Sequence, residues 1–405
     1  MMNTQRPGGD PPVMPGRHAT GSDAPELREL RVGFIPLTDC ASLIVAANMG
    51  FDRRYGIRIL PSREPSWAAI RDKLLGGALD AAHLLYGIAY GVQMGIAGPR
   101  RDMAVLMTLN QNGQAITLSN ALSDNGVFGA DALRRYVADH DRKLTFAHTF
   151  PTGTHAMWLY YWLAAYGIDP LSDVRTLTIP PPQMVTRLTM GDMDGYSAGE
   201  PWNARAVADG IGFTVATSQD IWPDHPEKVL ATSREFVQCY PNTSRALIMA
   251  VLDASRYIET EAASDDIAAL IARPEYIDTD VAVIADRLRG DYDNGRGRRW
   301  HDRYGMRFHG GGEVNYPYLS DAMWFMTQQR RWGLLKSDPN YYRVAAEVNQ
   351  TQLYTEAAAA LGIAVPDSPL RSSRLLDGRI WNGSDAAAYA NGFEIAHGES
   401  VIAPS

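Results

Sequence analysis

The chain has 405 residues, enough for two lobes with separate cores, and its 45% hydrophobic and 21% charged residues are ordinary for a globular protein. A formal charge of −8 argues against a nucleic-acid surface built on bulk positive charge, so any effect on RNA or DNA is expected to pass through a partner. Two cysteines supply no disulfide framework, CxxC redox pair or zinc site, and Cys40 is expected to be a small packed thiol at a helix start.

Residues 1–29 are rich in Pro, Gly and charge and hold no apolar stretch of signal-peptide length, so they read as a disordered cytoplasmic tail. No later run is long enough to span a membrane. The fold then opens with a strand over 30–36, stopped by proline, and a helix over 42–49 ended by Gly50. A strand over 57–60, a helix over 67–75 and a turn into another strand over 76–82 follow. A second series begins with a strand at 144–147 and an aromatic-rich helix at 154–166. It continues with a helix at 183–190 and a strand at 195–198. Helices at 242–258, 320–331 and 341–361 close the chain, and the polar residues from 367 read as a strap or mobile tail.

Strand and helix alternating at short spacing predict an α/β fold of open, mostly parallel sheets covered on both faces. Two such series, with later helices returning to the first, predict a first lobe at 30–115 and a second at 116–243. The return segment is 244–366, and 367–405 forms the strap. No internal repeat is visible in the sequence. Ligands of such folds lie in the crevice at the carboxyl ends of the strands.

Several strings carry more than pattern: LRVGFIPLTD at 30–39, LNQNGQ at 109–114, PTGTHAMW at 151–158, GYSAGEPWN at 195–203, HPEK at 225–228 and GGEVNYPYLSDAMW at 311–324. In this order, from about residue 30 to about 365, the chain resembles the nitrate- and bicarbonate-binding subunits of cyanobacterial-type ABC transporters. The resemblance implies a two-lobed, type II periplasmic-binding-protein-like fold with its ligand between the lobes. Exported members of that family carry a leader and a linker. Their absence here implies the cytoplasmic nitrate/nitrite sensor branch (NasS-like), whose members hold an ANTAR-type RNA-binding antiterminator (NasT-like) inactive until the anion arrives.

Nitrate is a planar monoanion with no proton to give, so its site needs donors and no carboxylate aimed at it. The family motifs imply Trp67, Gln114, His155 and Lys228 as that set, with Gly113 allowing close backbone approach. Lys228 is expected to neutralise the ion and Gln114 and His155 to donate in its plane. Taken singly, Lys228 is an ordinary surface lysine, Trp67 a core residue, His155 a buried histidine and Gln114 a turn residue. Bicarbonate carries an O–H and wants an acceptor, which a lysine cannot be, so nitrate or nitrite is favoured. Glu200 reads as a lobe-bridging group paired with a base, and Asp39 and His83 as cleft residues. The expected closure brings Trp67 and Gln114 from the first lobe and its edge onto His155 and Lys228 from the second.

Two other classes fit fragments of the sequence. The GxSxG pattern around Ser197 and the HGGG run at 309–312 suggest a serine hydrolase, but the loop follows the nucleophile where that fold places it before. His301, Asp302, His309 and Glu313 have loop-rich spacing that matches no metal motif. No enzyme activity, cofactor or metal is expected.

Overall fold

The computed structural model describes residues 23–260 and 264–397. The first sheet uses β1 (Glu29–Phe34), β2 (Arg58–Arg63), β3 (Ala81–Leu85) and β4 (Met103–Thr108). The second uses β5 (Gln114–Ser119), β6 (Thr145–His148), β7 (Arg175–Thr178), β8 (Gly195–Gly199) and β9 (Gly212–Thr217). The chain then comes back as β10 (Lys228–Ser233) to complete the first. The orders are β2-β1-β3-β10-β4 and β7-β6-β8-β5-β9, the same path drawn twice. In each sheet four strands share one direction, while β10 and β5, the strands that follow a crossing, run antiparallel to both neighbours. The repeat that the residues do not show is present in topology.

The two crossings lie side by side. The amide of Leu109 donates to the carbonyl of Lys228 at 2.7 Å, that of Glu227 to Asn110 at 3.1 Å and that of Asn112 to His225 at 3.2 Å. The hinge is therefore a short hydrogen-bonded ribbon rather than two loose linkers.

The structure redraws the lobe boundaries. The sequence reading assigns 116–243 to the second lobe, yet β10 sits between β3 and β4, because Val229, Leu230 and Ala231 are fully buried and fit only a central strand. The segment 244–366 is not a simple return either. Asp280 accepts from Arg205 at 2.9 Å and the Asn294 carbonyl accepts from the Thr214 amide at 3.1 Å, which docks the helix Val281–Arg289 and the hairpin after it on the second lobe. The helix expected over 341–361 breaks into Tyr341–Val348 and Thr351–Ala360. Asn349 causes the break by donating its amide to the Tyr86 hydroxyl at 2.8 Å and the Pro317 carbonyl at 3.0 Å. In the expected tail, 1–22 fall outside the described residues. Glu26, by contrast, is tied down, its carboxylate accepting from the Asn242 and Thr243 amides at the start of the helix Pro241–Ile258.

The strap from 367 is packed. Leu376 donates to the Ile221 carbonyl at 2.8 Å, and the Trp381 indole donates to that of Ser320 at 2.9 Å. The Tyr389 hydroxyl meets that of Tyr161 at 3.3 Å. Beneath it, Trp158 stacks on Trp324 with centroids 4.9 Å apart, and Trp222 meets Trp324 edge-on at 5.2 Å. Cys40 is buried, and burial pushes its thiol far above the ordinary range, so it packs rather than reacts. No described helix is long and apolar enough to cross a membrane.

Candidate functional site

The site forms where the hinge ribbon meets the ends of β1, β5 and the helix Thr154–Ala165. Trp67 opens the helix Trp67–Leu75, which is capped by the Ser66 hydroxyl accepting from the Ala69 amide at 3.2 Å. This cap holds the indole inward, fully buried, with its Nε1 lacking a partner among the described residues. Its ring lies 5.8 Å from Lys228 Nζ and 5.6 Å from the His83 ring. Lys228 begins β10 opposite Leu85 and is also fully buried.

A buried ammonium is costly to leave unpaired, and two carboxylates meet this one. Asp39, on the turn after β1, accepts from Lys228 Nζ at 2.6 Å and from His83 Nε2 at 2.7 Å. Glu227 Oε1 also accepts from Lys228 Nζ. The expectation of a pocket without carboxylates is thus corrected: Lys228 brings two, because a bare cation could not be buried here. Burial alone would raise the Asp39 carboxyl, but Lys228 and His83 outweigh it and hold it below its usual range. Burial pushes the Glu227 carboxyl the other way, to about 7, against the opposing pull of Lys228. Burial also lowers His83 and His155, so both rings are neutral.

From the second lobe come Gln114, which starts β5, and His155, in the first turn of its helix. His155 Nδ1 pairs with the Thr149 hydroxyl, and Nε2 has no partner among the described residues. In the tautomer in which Thr149 donates to Nδ1, the neutral ring carries its proton on Nε2, toward the site. A Cβ on Gly199 would lie 3.5 Å from both His155 Nε2 and Asp39 Oδ2. Gln114 Nε2 donates to the Thr154 hydroxyl at 3.4 Å, and Oε1 is buried without a partner among the described residues. The Thr154 hydroxyl in turn donates to Glu227 Oε1 at 2.9 Å.

Trp67, Gln114, His155 and Lys228 therefore converge, two from each lobe. The pairing differs from the sequence reading: Lys228 stands with Trp67 on the first sheet, and Gln114 with His155 on the second. Gly113 has φ +88, and a Cβ there would meet Met306 at 2.3 Å, so that side chain accounts for the glycine. Glu200 pairs with Arg287 at 3.0 Å, joining the second lobe to the helix Val281–Arg289. Asp39 meets Lys228 itself, and His83 meets Asp39. Glu227, Thr154 and Thr149 were missed. HPEK offered a signal for Glu227, because an acid beside a lysine assigned to a site is its nearest counter-charge.

The other constellations come apart. Ser197 lies mid-strand in β8, and its Oγ has no hydrogen-bond partner among the described residues, whereas a nucleophile elbow needs a strand-to-helix turn and a base. His309 pairs with Asn315 at 3.0 Å, away from Ser197's strand. His301 meets Asp291, and Asp302 accepts from Gln219 and Trp300. Among the described residues no group of three His, Cys, Asp or Glu is placed to hold a metal ion.

The profile of the NMT1-like family matches residues 23–272. The chain is a member of that family. Within the NMT1-like proteins it is 37% identical to the nitrate/nitrite binding protein NrtA of Synechococcus elongatus, over 93% of this chain and 88% of that one. The crystal structure of the periplasmic nitrate-binding protein NrtA from Synechocystis superposes with a TM-score of 0.88 at 34% identity, covering 92% of this chain and all of that one. The bicarbonate transport ATP-binding protein CmpC of Synechococcus elongatus is 36% identical over 92% of this chain, which spans only 56% of that longer protein. The fold is the two-lobed periplasmic-binding-protein fold. Relatives named for nitrate and for bicarbonate stand at similar identity, so the choice of anion rests on the site.

Proposed function

We propose that this protein binds nitrate or nitrite between its lobes, as the solute-binding component of an anion import system. One observation carries this reading: two buried ring nitrogens without hydrogen-bond partners among the described residues, Trp67 Nε1 and His155 Nε2 (a donor in the tautomer that accepts from Thr149), flank a buried ammonium. Such donors left dry cost free energy, and a small acceptor-only anion satisfies both at once. The names of the relatives support the same chemistry. Calorimetry with nitrate, nitrite, bicarbonate and chloride tests it. Nitrate or nitrite is expected to bind with the highest affinity, and heat from bicarbonate alone would reject the reading.

The regulatory alternative, a cytoplasmic sensor holding an ANTAR-type antiterminator inactive, concerns the partner rather than the pocket. Relatives named for nitrate import and for bicarbonate transport favour transport. A tagged chain recovered from the cytoplasm, together with an RNA-binding partner released by nitrate, would reverse that preference.

A further inference from the structure

Resting on the nitrate reading, we propose that Glu227, Thr154 and Gln114 form a hydrogen-bond relay. A single proton on Glu227 both admits the anion and turns Gln114 from acceptor to donor.

The charge count comes first. Glu227 is buried completely and is faced by Lys228, by Asp39 across that ammonium, by His155 Nε2 at 3.9 Å and by His225 Nδ1 at 4.0 Å. The Thr154 hydroxyl and the Trp158 indole also donate to it, the latter at 3.4 Å. His83 hydrogen-bonds to Asp39, on the far side of Lys228. Arg371, beyond His225, is paired with Asp321 at 2.8 Å. Burial keeps the three histidines neutral. One cation thus answers two carboxylates, and the cluster carries a net negative charge whenever Glu227 is ionised. A second negative charge in that dry space is strongly disfavoured. Protonating Glu227 leaves the Lys228–Asp39 pair neutral overall and makes room for the anion. The Glu227 carboxyl, raised to about 7 by burial, is the group closest to taking that proton.

The polarity comes second. With Glu227 ionised, Thr154 must donate to it, Gln114 donates its amide to Thr154, and Gln114 Oε1 is the atom left over. With Glu227 protonated, its O–H donates to Thr154, the Gln114 amide turns over to present Oε1 in place of Nε2, and Thr154 donates to that oxygen. Both amide hydrogens of Gln114 are then free for the ligand. The proton that permits a second anion thereby withdraws the acceptor that a bicarbonate O–H would need. A pocket containing carboxylates can in this way still select an ion that has no proton.

Titration calorimetry of nitrate in two buffers of different ionisation enthalpy, from about pH 7 to about pH 9, counts the protons taken up. The full-length protein is expected to take up about half a proton near pH 7, rising close to one near pH 9, where its affinity falls about tenfold per pH unit. Glu227→Gln has no proton to exchange and is expected to bind with a flat pH profile. Thr154→Val breaks the relay but leaves the charge, so it is expected to keep proton uptake while losing about tenfold of its preference for nitrate over bicarbonate. Nitrate binding without proton uptake in the unmodified protein overturns this inference alone, and needs no variant to fold. Full discrimination in Thr154→Val overturns the relay. Absence of nitrate binding at every pH rejects the proposed function, and this inference with it.

Discussion

Lys228 Nζ and Asp39 Oδ2 lie 2.6 Å apart, both side chains fully buried, across 189 residues of sequence. The contact ties the turn after β1 to the first residue of β10 and makes the cation of the site part of the hinge. Lys228→Met strands two carboxylates, and about 3–5 kcal/mol of stability is expected to be lost in denaturant unfolding. Adding Asp39→Asn is expected to restore part of that loss. Equal stability of Lys228→Met and the parent would mean that the pair is not buried as described.

Trp67→Phe removes the unpartnered Nε1 together with part of the fused ring, so some thermal stability is expected to be lost from this fully buried site. A hydrogen bond to an anion accounts for roughly ten- to hundredfold in affinity, so nitrate binding by the folded variant is expected to weaken by at least that factor. Undiminished affinity in calorimetry would place the anion elsewhere.

Much of this geometry was legible in the sequence, and the remainder was not for identifiable reasons. Helix Trp67–Leu75 was read to its exact ends because Ser66 caps it and glycine follows Leu75. Strand β10 was not read at all, since a buried central strand such as KVLATS has no period-two signature to separate it from a short helix. Asp39 could not be joined to Lys228, because no local spacing spans 189 residues. Glu227 was passed over for another reason. Alternation along a strand sends neighbours to opposite faces, but Glu227 belongs to the ribbon, where its backbone turns toward Asn110 and both side chains reach one place.

Stability should fall in mild acid. Burial lowers His148 to about 4 and His225 to about 3, and it lowers His155 as well. The unfolded chain binds protons on these rings below about pH 6.5, while the folded chain does not. Each ring is therefore expected to remove about 1.4 kcal/mol per pH unit as pH drops from about 6.5 toward its folded value. Urea midpoints measured across that window check this; Glu227, which binds its proton earlier in the folded chain, offsets about one ring, and a flat profile in Glu227→Gln would contradict neutral burial of the three rings.

Ser197→Ala should be nearly silent. Its hydroxyl is buried in β8 without a partner among the described residues, so removing it is expected to change stability by less than about 1 kcal/mol. A fluorophosphonate probe is expected to leave the unmodified protein unlabelled, and labelling at Ser197 would reopen the hydrolase reading.

The ribbon of paired crossings has one more implication. Points on an axis of rotation travel least, so Lys228 and Glu227, at the fulcrum, are expected to keep each other and Asp39 whether the jaws are apart or shut. Reception of an ion would thus begin on a prebuilt seat beside Trp67, with Gln114 and His155 swinging in afterwards as the latch.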